Sequence, residues 1–298
     1  MKLSMDGVWQ ITKDHTKVLE AAESFVKSHA YVQVHMISNK SHIKANFNEY
    51  LRDLVKLKFI QNFGQTFKLS LSGFDCLAIN SLRKLGLEAM GSQIGIGKES
   101  DIYIGKFKGK DVAIKVHRLG RSSFMKIDER NLKNEDNWFL ANKESARIEA
   151  EFLKLFSSNL VPKYYACNRH MIVMEYLERY EPLFNVTVEN PAEVSRAMLE
   201  FLKILWEKGY AHGDFNEFNV MVSGDKIKVI DFPQCIPVTD SRALSYLKRD
   251  IECVHKFFWK KNFHVCDDSI FADIFEQNNI KIDVHRSGYE MRINNKIE

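Results

Sequence analysis

No apolar run in this chain approaches the roughly 18 residues that a membrane-spanning helix needs. Charges recur every few positions through the first thirty residues, so a secretory hydrophobic segment is missing as well. The five cysteines, at 76, 167, 235, 253 and 266, are widely spaced and form no CxxC pair. That argues against a disulfide framework and a structural zinc site, and suits a reducing compartment. Internal repeats and low-complexity tracts are also lacking. What remains is ordinary globular composition, 45% hydrophobic and 28% charged, in a length of 298 residues that suits two domains. The expectation is a cytosolic (cytoplasmic) or nuclear protein without membrane contact.

The net charge of +4 is mild but unevenly placed. Residues 1–90 carry 12 Lys and Arg against 8 Asp and Glu, while the rest of the chain carries 31 of each. Across 40–68, Lys40, Lys44, Arg52, Lys56, Lys58 and Lys68 face only Glu49 and Asp53. A local basic surplus is what a polyanion-binding face requires, though a solvated helix flank has the same composition.

Apolar residues recur at helical spacing at Val18, Leu19, Ala22, Phe25 and Val26, and again over 47–59. FIQNFGQTFKLS reads as a hairpin around Asn62, Gly64 and Gln65, and a further helix is expected to start after Ser72-Gly73 and stop at Gly86. Helices followed by a hairpin describe a winged helix over residues 1–89, with the 47–58 helix as recognition element and Lys44, Arg52, Lys56 and Lys58 as candidate nucleic-acid contacts. A small helical domain used for protein docking is the alternative. From 90 onward, strand-like segments at 91–116 and 170–177 surround a helix-prone stretch at 134–156. Residues 117–134 read as a flexible loop. An amphipathic helix follows Pro191, two short strands flank Ser223-Gly224-Asp225, and a last helix spans about 244–259. The fold class is therefore α+β, with the second domain at 90–298.

The chemistry sits in that second domain. Gly95-Ile96-Gly97-Lys98-Glu99-Ser100 lies between strands, which excludes the Rossmann and Walker loops because both open a helix. Glycines in such a hairpin let backbone N–H groups approach phosphates. Val112-Ala113-Ile114-Lys115 matches the strand whose lysine pairs nucleotide α- and β-phosphates. His212-Gly213-Asp214, four residues, then Asn219 reproduces a kinase catalytic loop, and Asp231-Phe232 takes the place of the metal-binding Asp-Phe-Gly. Each signal is weak alone; in this order and at these intervals they describe a kinase-like domain binding ATP and Mg²⁺. Lys115, Asp214 and Asp231 are the candidate catalytic residues, and Asn219 and Asp231 the candidate metal ligands. Gly95, Gly97, Lys98, Glu99 and Ser100 would cover the phosphates. Glu149, with Glu151 second, is the expected partner of Lys115, and backbone groups of Glu175 and Leu177 in the hinge would meet the adenine. The N-lobe is placed at about 90–177 and the C-lobe at about 178–298.

The departures are as informative. His-Gly-Asp leaves no arginine beside Asp214 to receive an activation-loop phosphate, and Asp-Phe-Pro stiffens the metal-binding turn through Pro233. No Ala-Pro-Glu follows, and only 67 residues remain after Asp231, too few for the usual peptide-binding helices. The kinase portion is expected to be complete without residues 1–90.

With these departures, GIGKESDIY, LGRSSF (119–124), HGDFNEFN, IDFPQ, RDIECVHKFF (249–258) and SGY (287–289) closely resemble the second, winged-helix-bearing subfamily of the Rio atypical kinases. The resemblance covers essentially the whole chain. It implies a trimmed bilobal kinase domain, Ser/Thr kinase classification, and ATPase action through a phosphoaspartate on Asp231. It also implies a role in small (40S) ribosomal subunit maturation, with the pre-40S particle and its rRNA as partners; the sequence does not set the oligomeric state, and a monomer is the expectation. A catalytically silent ATP-binding scaffold and a winged-helix DNA-binding regulator are the competing readings.

Overall fold

The computed structural model describes residues 7–29, 31–119, 135–157, 159–263 and 269–277. Most of the 117–134 loop and of the LGRSSF segment, and all of SGY at 287–289, lie outside the described residues. The chain divides into two compact units, Met1–Leu155 with Lys163–Tyr176, and Phe156–Pro162 with Leu177–Glu298.

The first unit opens with α1 (Lys13–Ser24), started by a reciprocal cap in which the Thr12 hydroxyl accepts from the His15 backbone and the His15 ring accepts from the Thr12 N–H. After β1 (Val32–Gln33) come α2 (Val34–Ser41) and α3 (Phe47–Lys56). Phe47, Leu51 and Leu54 recur at i, i+4 and i+7 on α3 and are buried. Strands β2 (Ile60–Phe63) and β3 (Thr66–Leu69) form the wing, with sheet order β1-β3-β2. This is the winged-helix order expected. The next helix, α4, starts earlier than expected, at Leu71, and runs to Leu85 because Ser70 is its cap, its hydroxyl accepting from Gly73 N–H at 3.0 Å. Gly73 is not a start signal. A Cβ there would stand 2.1 Å from the Phe59 carbonyl oxygen, so glycine permits the helix to lie against that backbone.

Five antiparallel strands follow in the order β4-β5-β6-β8-β7: β4 (Leu87–Ile96), β5 (Ser100–Phe107), β6 (Lys110–His117), β7 (Tyr164–Asn168) and β8 (Met171–Glu175). Helix α5 (Glu135–Leu155) packs on this sheet. The edge strand β7 was not anticipated, because YYACN buries only Ala166 fully and shows no alternation. One apolar core joins α1, α3 and α4 to the sheet, running through Phe74, Leu77, Phe139, Val116 and Met171. The charge break at residue 90 is therefore not a packing break.

In the second unit, β9 (Glu181–Pro182) precedes α6 (Pro191–Glu207), whose cap Asn190 and first-turn Pro191 fix its start. Strands β10 (Tyr210–Ala211) and β13 (Ile236–Pro237) pair, and β11 (Val220–Ser223) lies between β12 (Lys226–Val229) and β9. Helices α7 (Ala243–Lys260) and α8 (Ala272–Gln277) close the unit. Its core is aromatic, with Phe201, Phe215, Phe232, Phe258 and Phe271 fully buried. Among the described residues no helix is long and apolar enough to cross a membrane.

Candidate active site

In the first unit, Val112–His117 of β6 are all buried between β5 and β8. Strand alternation puts Lys115 and His117 on one side of β6. There Lys115 Nζ lies 2.8 and 2.7 Å from the two carboxylate oxygens of Glu149 on α5, and His117 Nε2 stands 3.1 Å from Oε2. Lys115 is 4% exposed and Glu149 1%. A charge pair this dry holds its geometry, because either partner alone would be a buried uncompensated ion. Glu151 points elsewhere: it and Glu144 both flank Arg147 on the exposed side of α5.

The glycine turn joins β4 to β5. Gly95 pairs with Ile102, and Gly97 N–H donates to the Ser100 carbonyl at 2.7 Å, leaving Lys98 exposed at the tip. The Glu99 carbonyl accepts from Arg118 N–H at 2.7 Å. Glu175 ends β8, its N–H donating to the Lys163 carbonyl at 2.8 Å and its carboxylate accepting from Lys163 N–H at 3.0 Å. Leu177 is the first residue after the unit boundary, and its carbonyl accepts from Tyr180 N–H.

In the second unit the sequence brings Asp214, Asn219 and Asp231 together. His212 is fully buried, its ring centroid 5.4 Å from that of Phe215 and 5.5 Å from that of Phe232. Gly213 follows with φ +78°, and a Cβ would lie 2.6 Å from the Tyr246 ring. The backbone thus explains why glycine replaces the usual arginine of this motif. Asn219 Nδ2 donates to the Asp214 carbonyl at 2.8 Å and to Oδ2 at 3.2 Å, while Asn216 Nδ2 reaches Oδ1 at 3.1 Å. Ile230 N–H donates to the Asn219 carbonyl at 2.9 Å, tying the strand that leads to Asp231 to the catalytic loop. Asp231 has φ +71°, the left-handed region that a non-glycine residue seldom adopts, and Phe232 beside it is fully buried.

Partial burial first, and the neighbouring Asp231 carboxylate second, raise the Asp214 pKa against the donors Asn219 and Asn216. Two carboxylates crowded in this way favour a cation. With Nδ2 of Asn219 committed to Asp214, its amide oxygen is the atom left to meet one. Among the described residues no three His, Cys, Asp or Glu side chains gather as a metal site. Mg²⁺ in nucleotide enzymes needs no such cage, since one or two protein oxygens suffice when phosphates and water supply the rest. The residues fit Mg²⁺.

Asp250, which sequence reading passed over, holds the catalytic loop. Its carboxylate accepts from Gly213 N–H at 2.8 Å and from Phe215 N–H at 3.1 Å. Burial pushes its pKa up to about 6. The signal was present: on α7, Asp250 falls on the buried stripe of Leu247, Ile251, Val254 and Phe258. His117 was missed too, though the alternation in VAIKVH aligns it with Lys115.

The candidate nucleic-acid residues are less unified. Lys44 and Arg52 border one polar hollow together with Glu49. Arg52 Nε donates to the Asn48 carbonyl of its own helix at 3.1 Å, and Lys56 Nζ stands 3.7 Å from Asp53. Lys58 is exposed in the turn after α3, at φ +60°.

The RIO domain family matches residues 101–270, and the family described as Rio2, N-terminal, matches residues 8–85. The serine/threonine-protein kinase rio2 of Schizosaccharomyces pombe is 30% identical over an alignment covering 100% of this chain and 92% of that one. The rio2 kinase of Dictyostelium discoideum is 31% identical, covering 97% of this chain and 58% of its own length. Among solved structures, a Rio2 kinase–ADP/Mg²⁺–phosphoaspartate complex from Chaetomium thermophilum is similar with a TM-score of 0.79 and 29% identity, covering 89% of this chain and 86% of that one.

Proposed function

The chain belongs to the RIO kinase family, in its Rio2 branch of atypical serine/threonine kinases. From that premise we propose that it is a Mg²⁺-ATP-dependent kinase and ATPase acting in maturation of the small ribosomal subunit, in the cytoplasm or nucleus. Its partners are then the pre-40S particle and small-subunit rRNA, and it works as a monomer. The observation that carries the catalytic part is the cluster of Asp214, Asn219 and Asp231, three oxygen-bearing side chains on two segments tied by the Ile230–Asn219 backbone hydrogen bond.

In this reading Lys115, held by Glu149, binds the α- and β-phosphates, and the backbone amides of the Gly95–Ser100 turn approach the phosphate tail. Glu175 and Leu177 offer backbone groups to the adenine. Asn219 and Asp231 hold Mg²⁺, which neutralises charge on the transferred group. Asp214, its carboxylate oriented by two amide donors, positions the attacking group and accepts its proton when that group is a hydroxyl. With no hydroxyl substrate docked, a carboxylate oxygen of Asp231 attacks the γ-phosphorus. The bond from γ-phosphorus to the β,γ-bridging oxygen breaks, ADP leaves, and water later cleaves the acyl phosphate to inorganic phosphate. The Rio2 complex from Chaetomium thermophilum, which contains ADP, Mg²⁺ and phosphoaspartate, supports this route.

The test is acid-quenched labelling with γ-³²P-ATP. Wild type should trap a hydroxylamine-labile label that Asp231→Asn abolishes, and Asp214→Ala should lower turnover by roughly 10²-fold while ATP still binds. A stable label, or one that survives Asp231→Asn, overturns the aspartyl-phosphate route. Co-sedimentation of the tagged protein with small-subunit precursors under ATP, ADP and no nucleotide tests the ribosomal assignment, which fails when no condition retains it.

A further inference from the structure

Helix α5 bonds to the end of β6 and the chain just beyond it at two polar points. One is Glu149 against Lys115, and the function proposed above uses it. The other lies two turns earlier on the helix. Leu119 stands two residues beyond His117, the last paired residue of β6. Its N–H donates to Oδ1 of Asn142 at 2.8 Å, and its carbonyl accepts from the indole N–H of Trp138. The Nδ2 of Asn142 donates to the Trp138 carbonyl, one turn back on its own helix, at 2.8 Å. Asn142 is fully buried, and both ends of its amide are satisfied.

Asparagine is a poor choice for a helix interior, because its side chain competes for backbone groups. Here that competition is spent on a backbone outside the helix, where Leu119 has no strand to bond. Trp138, Asn142 and Glu149 stand at i, i+4 and i+11, so they share one face of α5. As the strand number rises from 115 to 119, the helix number falls from 149 to 142, and the two segments run antiparallel. Extended, 115–119 covers about 13 Å; seven helical residues rise about 10.5 Å. The spans are close enough for one straight helix to hold both contacts. Between them the buried residues are Ser145 and Ala146, which are too short to interlock with much. Phe139 packs against Phe74 with ring centroids 4.8 Å apart, a contact that is apolar and sets no direction. Position along the helix axis is therefore fixed by the two polar points.

We propose that Asn142, with Trp138, is a positioning residue of the nucleotide site, a latch on Leu119 that keeps Glu149 against Lys115. The inference rests on the phosphate contact of Lys115 in the function proposed above and adds what holds its partner in place. With the latch open, α5 is free to pivot about the Glu149 end. The ion pair is then made for a smaller fraction of the time, and each ATP that binds must restore it.

The experiment titrates the full chain with Mg²⁺-ATP and follows melting temperature separately. Asn142→Leu keeps the size of the side chain and removes both hydrogen bonds. It should weaken ATP binding about threefold to tenfold, and combined with Glu149→Gln it should add nothing further, since the latch acts through Glu149. Trp138→Phe, which loses the indole N–H alone, should shift affinity in the same direction, and takes the place of Asn142→Leu in every arm if that variant does not fold. Leu77→Ala, a core cavity on α4, should lower the melting temperature and leave ATP affinity at the wild-type value. Wild-type ATP affinity in Asn142→Leu overturns the latch, and so does a loss that persists in full beside Glu149→Gln. An equal loss in Leu77→Ala also overturns it, because lowered stability would then account for the effect. Wild-type affinity in Lys115→Ala would instead remove the phosphate contact of Lys115, and this inference with it.

Discussion

Arg118 grips Asp75 through both terminal nitrogens, Nη1 to Oδ1 and Nη2 to Oδ2, each at 2.7 Å. The pair is buried and joins α4 to the end of β6. His170 Nε2 also meets Asp75 Oδ1 at 2.8 Å, and Arg118 Nε stands 3.7 Å from Asp101. The backbone N–H of Arg118 holds the Glu99 carbonyl in the glycine turn. One residue thus links the winged-helix portion, the five-stranded sheet and the glycine turn. Burial alone would raise the Asp75 carboxyl, but Arg118 and the His170 hydrogen bond outweigh it and hold the pKa below the usual range. Burial pushes the His170 pKa down, so its ring is neutral and Nε2–H donates.

Asp75→Ala should destabilise the first unit by about 3–5 kcal/mol, because the buried Arg118 loses both hydrogen bonds of its bidentate partner and keeps only the Asp101 carboxylate at 3.7 Å. Replacing both partners, as Asp75→Leu/Arg118→Leu, should cost clearly less than the sum of the singles. Urea unfolding of the full chain measures this. An additive double variant would mean that the two side chains do not act as a pair.

Much of this was legible in the sequence because the chemistry is local. His212 to Asn219, and Asp231-Phe232, are contiguous, so spacing alone places Asp214 against Asn219. Helix α3 was legible from its apolar spacing, and the wing from its turn residues. Asp75 and Arg118 were not, being 43 residues apart in two segments read as separate domains. The charge count drew a boundary at residue 90, whereas packing is decided by Phe74, Leu77 and Phe139, whose apolar character says nothing of their partners.

Glu149→Gln keeps the shape of the Lys115 partner and removes its charge. Lys115 is then a buried cation facing an amide, free to retract from the phosphates or give up its proton. ATP affinity should fall about tenfold or more, equivalent to about 1.4 kcal/mol, whereas Glu151→Gln should leave it unchanged because Glu151 serves Arg147 on the surface. Isothermal titration with ATP and Mg²⁺ decides it. Equal losses in the two variants would remove Glu149 from its assigned role.

Gly213→Ala meets two obstacles, a positive φ and the Tyr246 ring. The left-handed backbone costs about 1–2 kcal/mol with a Cβ present, and the ring at 2.6 Å must also move. The variant should melt lower and turn over ATP at least tenfold more slowly, since Asp214 is the next residue. Adding Tyr246→Ala should recover part of the stability, the steric share, and leave the backbone share lost. Full recovery would show that φ at this position is no constraint, and no recovery that the ring is not the obstacle.

Asp250 makes the loop sensitive to pH in a direction opposite to that of an ion-paired carboxylate. Its pKa is about 6 in the folded chain against 3.8 for the free side chain. The folded state therefore holds a proton that the unfolded state releases across the interval from about 4 to 6. By linkage the Asp250 contribution is fully present below about pH 4 and is lost as pH rises through about 6. At about 1.4 kcal/mol per pKa unit, the change is on the order of 3 kcal/mol. Asp250→Asn removes the titration, and its amide turns one donor toward the Gly213 and Phe215 N–H groups, so the variant should be less stable at every pH. The gap between wild type and variant should narrow as pH rises from 4 to 6 and stay constant above 7. Melting temperatures of both proteins across pH 4–8 provide the measurement, with amide exchange at Gly213 and Phe215 reporting the loop itself. A gap that widens with pH would mean that the two N–H donors outweigh burial and that the carboxylate is ionised throughout.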